Sequence, residues 1–133
     1  MLPFGVVLRA GESPYRQVVY AATKAVVSGE LEPGTPFPSV RELSQSLKIN
    51  PNTAQKIVAE LTRNGLLEVR PGIGTIVTGG RRASAAERRQ LLSRDVEQLV
   101  VEARRLGLTK AEVVGAVAAQ WSTLFEPERD GKR

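Results

Sequence analysis

Apolar residues recur along this chain at the three- and four-residue steps of an α-helix, separated by runs rich in proline and glycine. Tyr15, Val18, Val19, Ala22, Ala25 and Val26 form the first stripe, opened by Ser13 and Pro14 and closed by Gly29. Ahead of it, Phe4 to Arg9 is a short apolar run expected to be a strand. Glu32-Pro33-Gly34-Thr35-Pro36-Phe37-Pro38 holds three prolines and a glycine in seven residues, so no regular structure is expected there. Ser39 stands three residues before Glu42, a capping box that starts a helix with Val40, Leu43 and Leu47 on its buried side. Asn50 then caps the next helix, and Pro51 takes the first helical position, where its missing N–H costs nothing. Ala54, Ile57, Val58 and Leu61 make that helix's apolar face, and Gly65 suits a left-handed stop. Only Lys48-Ile49-Asn50 remain between the two helices. Such a short connection predicts a helix-turn-helix, with Ile49 plugging the gap.

Leu66 to Arg70 and Thr75 to Thr78 read as strands, joined through Pro71-Gly72-Ile73-Gly74 as a hairpin. Helix, helix-turn-helix and hairpin together predict a winged helix. Gly79-Gly80-Arg81-Arg82 reads as a linker, which puts a domain boundary between residues 1–80 and 81–133. Ser84 with Glu87 opens a long helix that Gly107 ends. Inside it Leu92, Val96, Leu99, Ala103 and Leu106 step by 4, 3, 4 and 3, an a/d seam about two heptads long. Thr109 with Glu112 opens the last helix, which presents Val113, Val114, Val117, Trp121, Leu124 and Phe125 and stops at Pro127. A frayed tail is expected after it. The fold class is therefore mainly α with a small β-hairpin: a winged helix-turn-helix followed by a two-helix dimerisation or effector segment. Leu92, Val96, Leu99, Ala103, Leu106, Val117, Trp121 and Phe125 are more apolar surface than one antiparallel helix pair covers, so a homodimer interface is expected there. The bland alternative is that this pair folds back on its own winged domain.

Composition narrows the chemistry. The 133 residues include no cysteine and no histidine. Disulfides, thiol nucleophiles, Cys/His zinc sites and imidazole catalysis are excluded, and no metal, cofactor or enzymatic activity is expected. No phosphate loop or convergent carboxylate pair is present, and Glu42, Glu87 and Glu112 are each used by a capping box. The apolar run at the N-terminus is too short for a signal peptide, no stretch is long enough to span a membrane, and a cytoplasmic protein is expected. The net charge of +5 favours an anionic partner. It is spread along the chain: residues 1–80 carry 8 basic and 6 acidic side chains, residues 81–133 carry 11 and 8. Local arrangement says more, since Leu43 to Ala59 contains two lysines and no acid. Asn52, Thr53, Gln55 and Lys56 lie opposite the apolar face of the Asn50-capped helix. Short amides and a cation at a helix N-terminus can meet phosphates and base edges of duplex DNA. A surface helix that is merely polar outside is the competing reading.

The run from Pro14 to Val77 resembles the DNA-binding domain of GntR-family bacterial transcription regulators. The likeness rests on Tyr15 and Gln17, Ser28-Gly29-Glu30-Leu31, Pro33-Gly34, Pro38-Ser39-Val40-Arg41-Glu42-Leu43, Asn52-Thr53, Asn64-Gly65-Leu66 and Gly72-Ile73-Gly74-Thr75. The Asn50-Pro51-Asn52-Thr53 start and the short C-terminal part look like the YtrA-type subgroup, whose members tend to be dimeric repressors encoded beside ABC-type transporter genes. The resemblance implies DNA contacts from Arg41, Asn52, Thr53, Gln55 and Lys56. It places Ser39 and Asn50 at helix ends facing phosphates, with the wing at Gly72; the hairpin's own residues add Arg70 at its base and Gly74 in its turn, where the glycines either let backbone approach DNA or serve only the tight turn. Members with large acyl-ligand-sensing domains often have arginines at the positions of Pro51 and Gln55, so their operator sequence does not carry over. The C-terminal part is too small for the metal- or acid-binding bundles of larger subgroups and lacks their histidines. The expected function is a dimeric repressor on a palindromic operator, with a small-molecule effector left open. The alternative is a winged helix for protein or RNA contact without sequence-specific duplex binding.

Overall fold

The computed structural model describes residues 2–79 and 83–126. Gly80, Arg81, Arg82, Pro127 and the tail beyond it, all singled out above, lie outside the described residues. The chain divides into two compact units, Met1–Arg81 and Arg82–Arg133.

In the first unit, α1 (Pro14–Val27), α2 (Val40–Leu47) and α3 (Pro51–Arg63) precede β1 (Leu67–Arg70) and β2 (Gly74–Val77). The caps are those that the local sequence dictates. Ser13 Oγ accepts from the Arg16 N–H at the start of α1, and Ser39 and Glu42 form a reciprocal capping box at the start of α2. α3 packs on α1 and α2, and β1 adjoins it. Val18, Leu43, Ile57, Leu61, Leu67 and Val77 are the largest fully buried side chains; each is worth about 1.5–3 kcal/mol of burial. Ile49 is half-buried against this core, as a plug in the helix-turn-helix. Lys48 ends α2 in the left-handed region, at φ 56° and ψ 48°. That conformation turns the chain into α3 and is held by Ser44, whose hydroxyl donates to the Ile49 carbonyl at 2.9 Å.

Two expectations need correction. Phe4 to Arg9 is not a strand. Phe4 is buried and stacks on Phe37 with ring centroids 5.7 Å apart, and Leu2, Val6 and Leu8 pack against the same core. The alternation seats side chains without a strand edge to pair with. Gln17 holds the arm's end instead, its Oε1 accepting from the Arg9 N–H at 2.8 Å and its Nε2 donating to the carbonyls of Arg9, Glu12 and Ser13. The proline-rich segment before α2 is also more ordered than expected. Pro36 forms a bridge to Ile76 on the outer edge of β2. The Phe37 N–H donates to the Thr75 carbonyl and the Val77 N–H to the Thr35 carbonyl, both at 2.9 Å. Pro36 falls between these bonding residues, where its missing donor is not needed. The hairpin itself is antiparallel, with Leu67 opposite Val77 and Arg70 opposite Gly74.

In the second unit the long helix is not uniform. α4 (Ala85–Gln90) runs through a π-helical segment (Leu91–Asp95) into α5 (Val96–Arg105). The Ser93 hydroxyl donates back to the Arg89 carbonyl at 2.7 Å, a competing bond that loosens the backbone ladder at this point. A π turn takes an extra residue. The step from Leu92 to Val96 therefore falls short of the full turn that an uninterrupted α-helix would make, and the regular seam starts at Val96. α6 (Lys110–Phe125) follows, with its Thr109–Glu112 capping box in place. Arg105 beside Glu102 holds that exposed carboxyl below its usual range. Among the described residues, no helix is long and apolar enough to cross a membrane.

Candidate nucleic-acid interface

α3 owes its orientation to its own sequence. Ala54, Ile57 and Leu61 are buried, which turns the opposite side to solvent. Asn50 Oδ1 accepts from the Asn52 N–H at 2.7 Å, so the helix starts sharply at Pro51. Asn52, Gln55 and Lys56 are exposed on the outward side, Thr53 is half-buried, and no acid lies in the first turn. The helix N-terminus is thus electropositive and unobstructed. Arg41, in the first turn of α2, is exposed as well, and Ser39 ahead of it caps that helix. These residues share one unit and one pair of adjoining helices.

The wing residues stand differently. Arg70 is exposed but occupied: its Nε donates to Glu68 Oε2 at 2.7 Å. Gly72 and Gly74 have φ of 78° and 119°. An added Cβ would meet no atom within 4 Å at either position, so it is the backbone conformation of the turn, not crowding, that calls for glycine.

A shallow depression of about 450 Å³ flanks α3, lined by Tyr15, Thr53, Lys56, Ala59 and Arg63. The sequence reads Tyr15 as part of the apolar stripe of α1 and of the family likeness, not as a neighbour of α3, and does not single out Arg63. They meet at Glu60, which accepts from the Tyr15 hydroxyl at 3.1 Å and from Asn64 Nδ2 at 3.2 Å and pairs with Arg63. This carboxylate ties α1 to the C-terminal half of α3 and so fixes the helix whose N-terminal half is free. Tyr15 lies 45 residues from Glu60, too far for a spacing rule to find. Arg63 follows Glu60 by three, a spacing that sequence alone exposes.

The residues expected at a dimer seam form the bare side of the second unit. Leu92, Val96, Leu99, Leu106, Val117, Trp121 and Phe125 are exposed. Ala103 is the exception, buried within its own unit. A groove of about 800 Å³ lies over it, lined by Val96, Leu99, Val113, Val117 and Trp121, with Arg104 and Lys110 also on its wall. Trp121 and Phe125 pack edge to face, 5.6 Å between centroids. No group of histidine, cysteine or acidic side chains able to hold a metal occurs among the described residues.

Residues 14–77 match the family model described as bacterial regulatory proteins, gntR family. The HTH-type transcriptional regulator YhcF of Bacillus subtilis (strain 168) is 36% identical over 104 residues, covering 77% of this chain and 85% of its own. The HTH-type transcriptional repressor YtrA of the same organism is 30% identical over 101 residues, covering 75% and 78%. In fold, the chain is similar to a transcriptional antiterminator from Listeria monocytogenes EGD-e, with a TM-score of 0.79 at 21% identity and 97% of each chain covered. The chain is accordingly a member of the GntR family of bacterial transcription regulators, DNA-binding and YtrA-like.

Proposed function

We propose that the protein is a homodimeric repressor that lays α3 of each copy into the major groove of a palindromic operator. The observation that carries this reading is the two-sidedness of α3. Its inner face is sealed by Ala54, Ile57 and Leu61, and its outer face offers Asn52, Gln55 and Lys56 beside an acid-free N-terminus. Asn52 and Gln55 suit the paired donor and acceptor of an adenine edge. Lys56, Arg41 and the helix starts at Ser39 and Asn50 suit phosphates, which set register and much of the affinity. The wing, with Arg70, Gly72 and Gly74, lies against the neighbouring backbone. Thr53 supports the outer face from its flank.

Dimerisation is supported by the second unit. α6 is apolar on most of its circumference, and such a helix is stable when it is covered on all sides. Ala103 alone is buried there among the described residues. Two copies related by a two-fold axis bury the seam mutually and present two α3 helices to half-sites about 10 bp apart. Repression is supported by the 30% identity to a protein named a repressor, and control of a transporter operon by the resemblance to the YtrA-type subgroup. An effector at the second unit acts only if it binds one arrangement of the dimer better than another. The place of action is the cytoplasm.

The test is a gel shift with DNA from upstream of the protein's own gene, run against excess competitor. Retention at competitor levels that strip non-specific complexes supports the reading. Weak binding indifferent to sequence would support the protein- or RNA-contact module instead.

A further inference from the structure

The groove between α5 and α6 combines two chemistries that a seam between identical copies does not reconcile. Its floor is Ala103, buried in its own unit, and its walls are apolar side chains of both helices, Val96, Leu99, Val117 and Trp121 among them. At about 800 Å³ it falls within the range of small-molecule sites, roughly 300–1,000 Å³. Its charged groups are Arg104 and Lys110, and no acidic side chain lines it. The nearest acids in sequence are engaged elsewhere. Glu102 accepts from Arg105 Nε at 3.0 Å, and Glu112 accepts from the Thr109 N–H at 2.8 Å. Among the described residues neither Arg104 nor Lys110 has an ion-pair partner. A two-fold interface sets a face against its own copy. A second copy therefore covers the apolar walls but brings two more cations to them, and like charges oppose one another.

We infer that the groove takes a small amphipathic acid, an apolar body ending in a carboxylate and free in solution, and that its binding separates the dimer. The apolar body lies over Ala103 against Leu99, Val117 and Trp121, and the carboxylate meets Arg104 and Lys110. Other occupants leave part of the groove unmatched: a neutral hydrocarbon leaves the cations unpaired, and a cationic amphiphile is repelled by them. Val96, Leu99, Val117 and Trp121 belong to the seam as well as to the groove wall. The same surface cannot be covered by acid and partner together. The acid binds the separated copy and shifts the equilibrium away from the dimer by that difference in affinity. Separated copies lose the joint grip on two half-sites, so DNA is released. The inference rests on the dimer reading of the second unit and names its ligand class and the sense of its regulation.

The experiment uses the full chain and decanoate, at concentrations that form no micelles. Trp121 is the single tryptophan of the chain and stands on the groove wall, so its fluorescence reports occupancy. Decanoate is expected to change that fluorescence saturably and, over the same concentrations, to convert dimer to monomer in sedimentation. Affinity for a duplex selected from random sequence is expected to fall over that range. Decanol and decyltrimethylammonium, equal in chain length, are expected to bind more weakly. Arg104→Gln combined with Lys110→Gln, both at exposed positions, is expected to stay dimeric and to lose about 3- to 10-fold in decanoate affinity, as for two part-exposed ion pairs. The inference is overturned if decanol binds as well as decanoate, or if the double variant binds decanoate like wild type. It is also overturned if the dimer persists, or DNA affinity stays undiminished, with the Trp121 signal saturated. No saturable signal from a protein that is dimeric sinks the inference alone, whereas a protein that is monomeric without any addition sinks the dimer reading beneath it.

Discussion

Lys56 and Gln55 are neighbours on the exposed side of α3, yet the account gives them different work, and salt separates the two. Both are solvent-exposed, and neither caps a helix nor touches the buried face, so replacement by alanine should leave stability within about 0.5 kcal/mol. If Lys56 neutralises one phosphate per subunit, Lys56→Ala should lower the slope of log affinity against log salt by about 0.9 per contact. Between roughly 50 and 200 mM salt, a fourfold change, that slope corresponds to about a 3.5-fold narrowing of the gap between variant and wild type, per contact. Gln55→Ala should instead cost about 1–3 kcal/mol, or roughly 5- to 150-fold, with the same salt slope as wild type and relaxed preference at one operator position. Fluorescence anisotropy titrations across this salt range, with melting curves alongside, measure all of these quantities. Equal salt slopes for wild type and Lys56→Ala, together with undiminished affinity in Gln55→Ala, would refute the assignment of this face.

Other expectations follow from the same geometry. Asn50→Ala removes the acceptor of the Asn52 N–H and should cost about 1 kcal/mol in a denaturant melt, the ordinary worth of an N-cap. Lys48→Gly relieves a side-chain-bearing residue at φ 56° and should raise stability by roughly 1 kcal/mol in the same denaturant melt. Leu99→Glu places a charge in the proposed seam at a position exposed within its own chain. Each copy should therefore still fold, while sedimentation shows a monomer and operator affinity drops. A dimer of undiminished strength would contradict the seam.

Local signals made most of the fold legible. The three capping boxes, the Asn50-Pro51 start and the glycines after α3 and inside the wing act within three or four residues of themselves, and each stands where its sequence puts it. What escaped depends on partners far away in the chain or on backbone detail. The N-terminal arm is organised by Phe37 and Gln17, so its alternation alone suggested a strand. Pro36 disguised a segment whose flanking residues bond to β2. The π turn depends on where Ser93 sends its hydroxyl. At the interface, the outer face of α3 was readable because burying Ala54, Ile57 and Leu61 leaves only one side for the rest. The Glu60 cluster was not, since its hydrogen bond to Tyr15 exists only after α1 and α3 pack.

The central claim is that the outward face of α3 enters duplex DNA twice per assembly. The absence of cysteine from the chain makes Gln55→Cys a unique attachment point for an iron-chelate cleavage reagent. Mapping the cuts on a bound operator locates that face directly. The account predicts cleavage centred in the major groove at two places about one helical turn apart on one side of the duplex. Cuts scattered without register, or none while the conjugated protein stays bound to the operator, would contradict it.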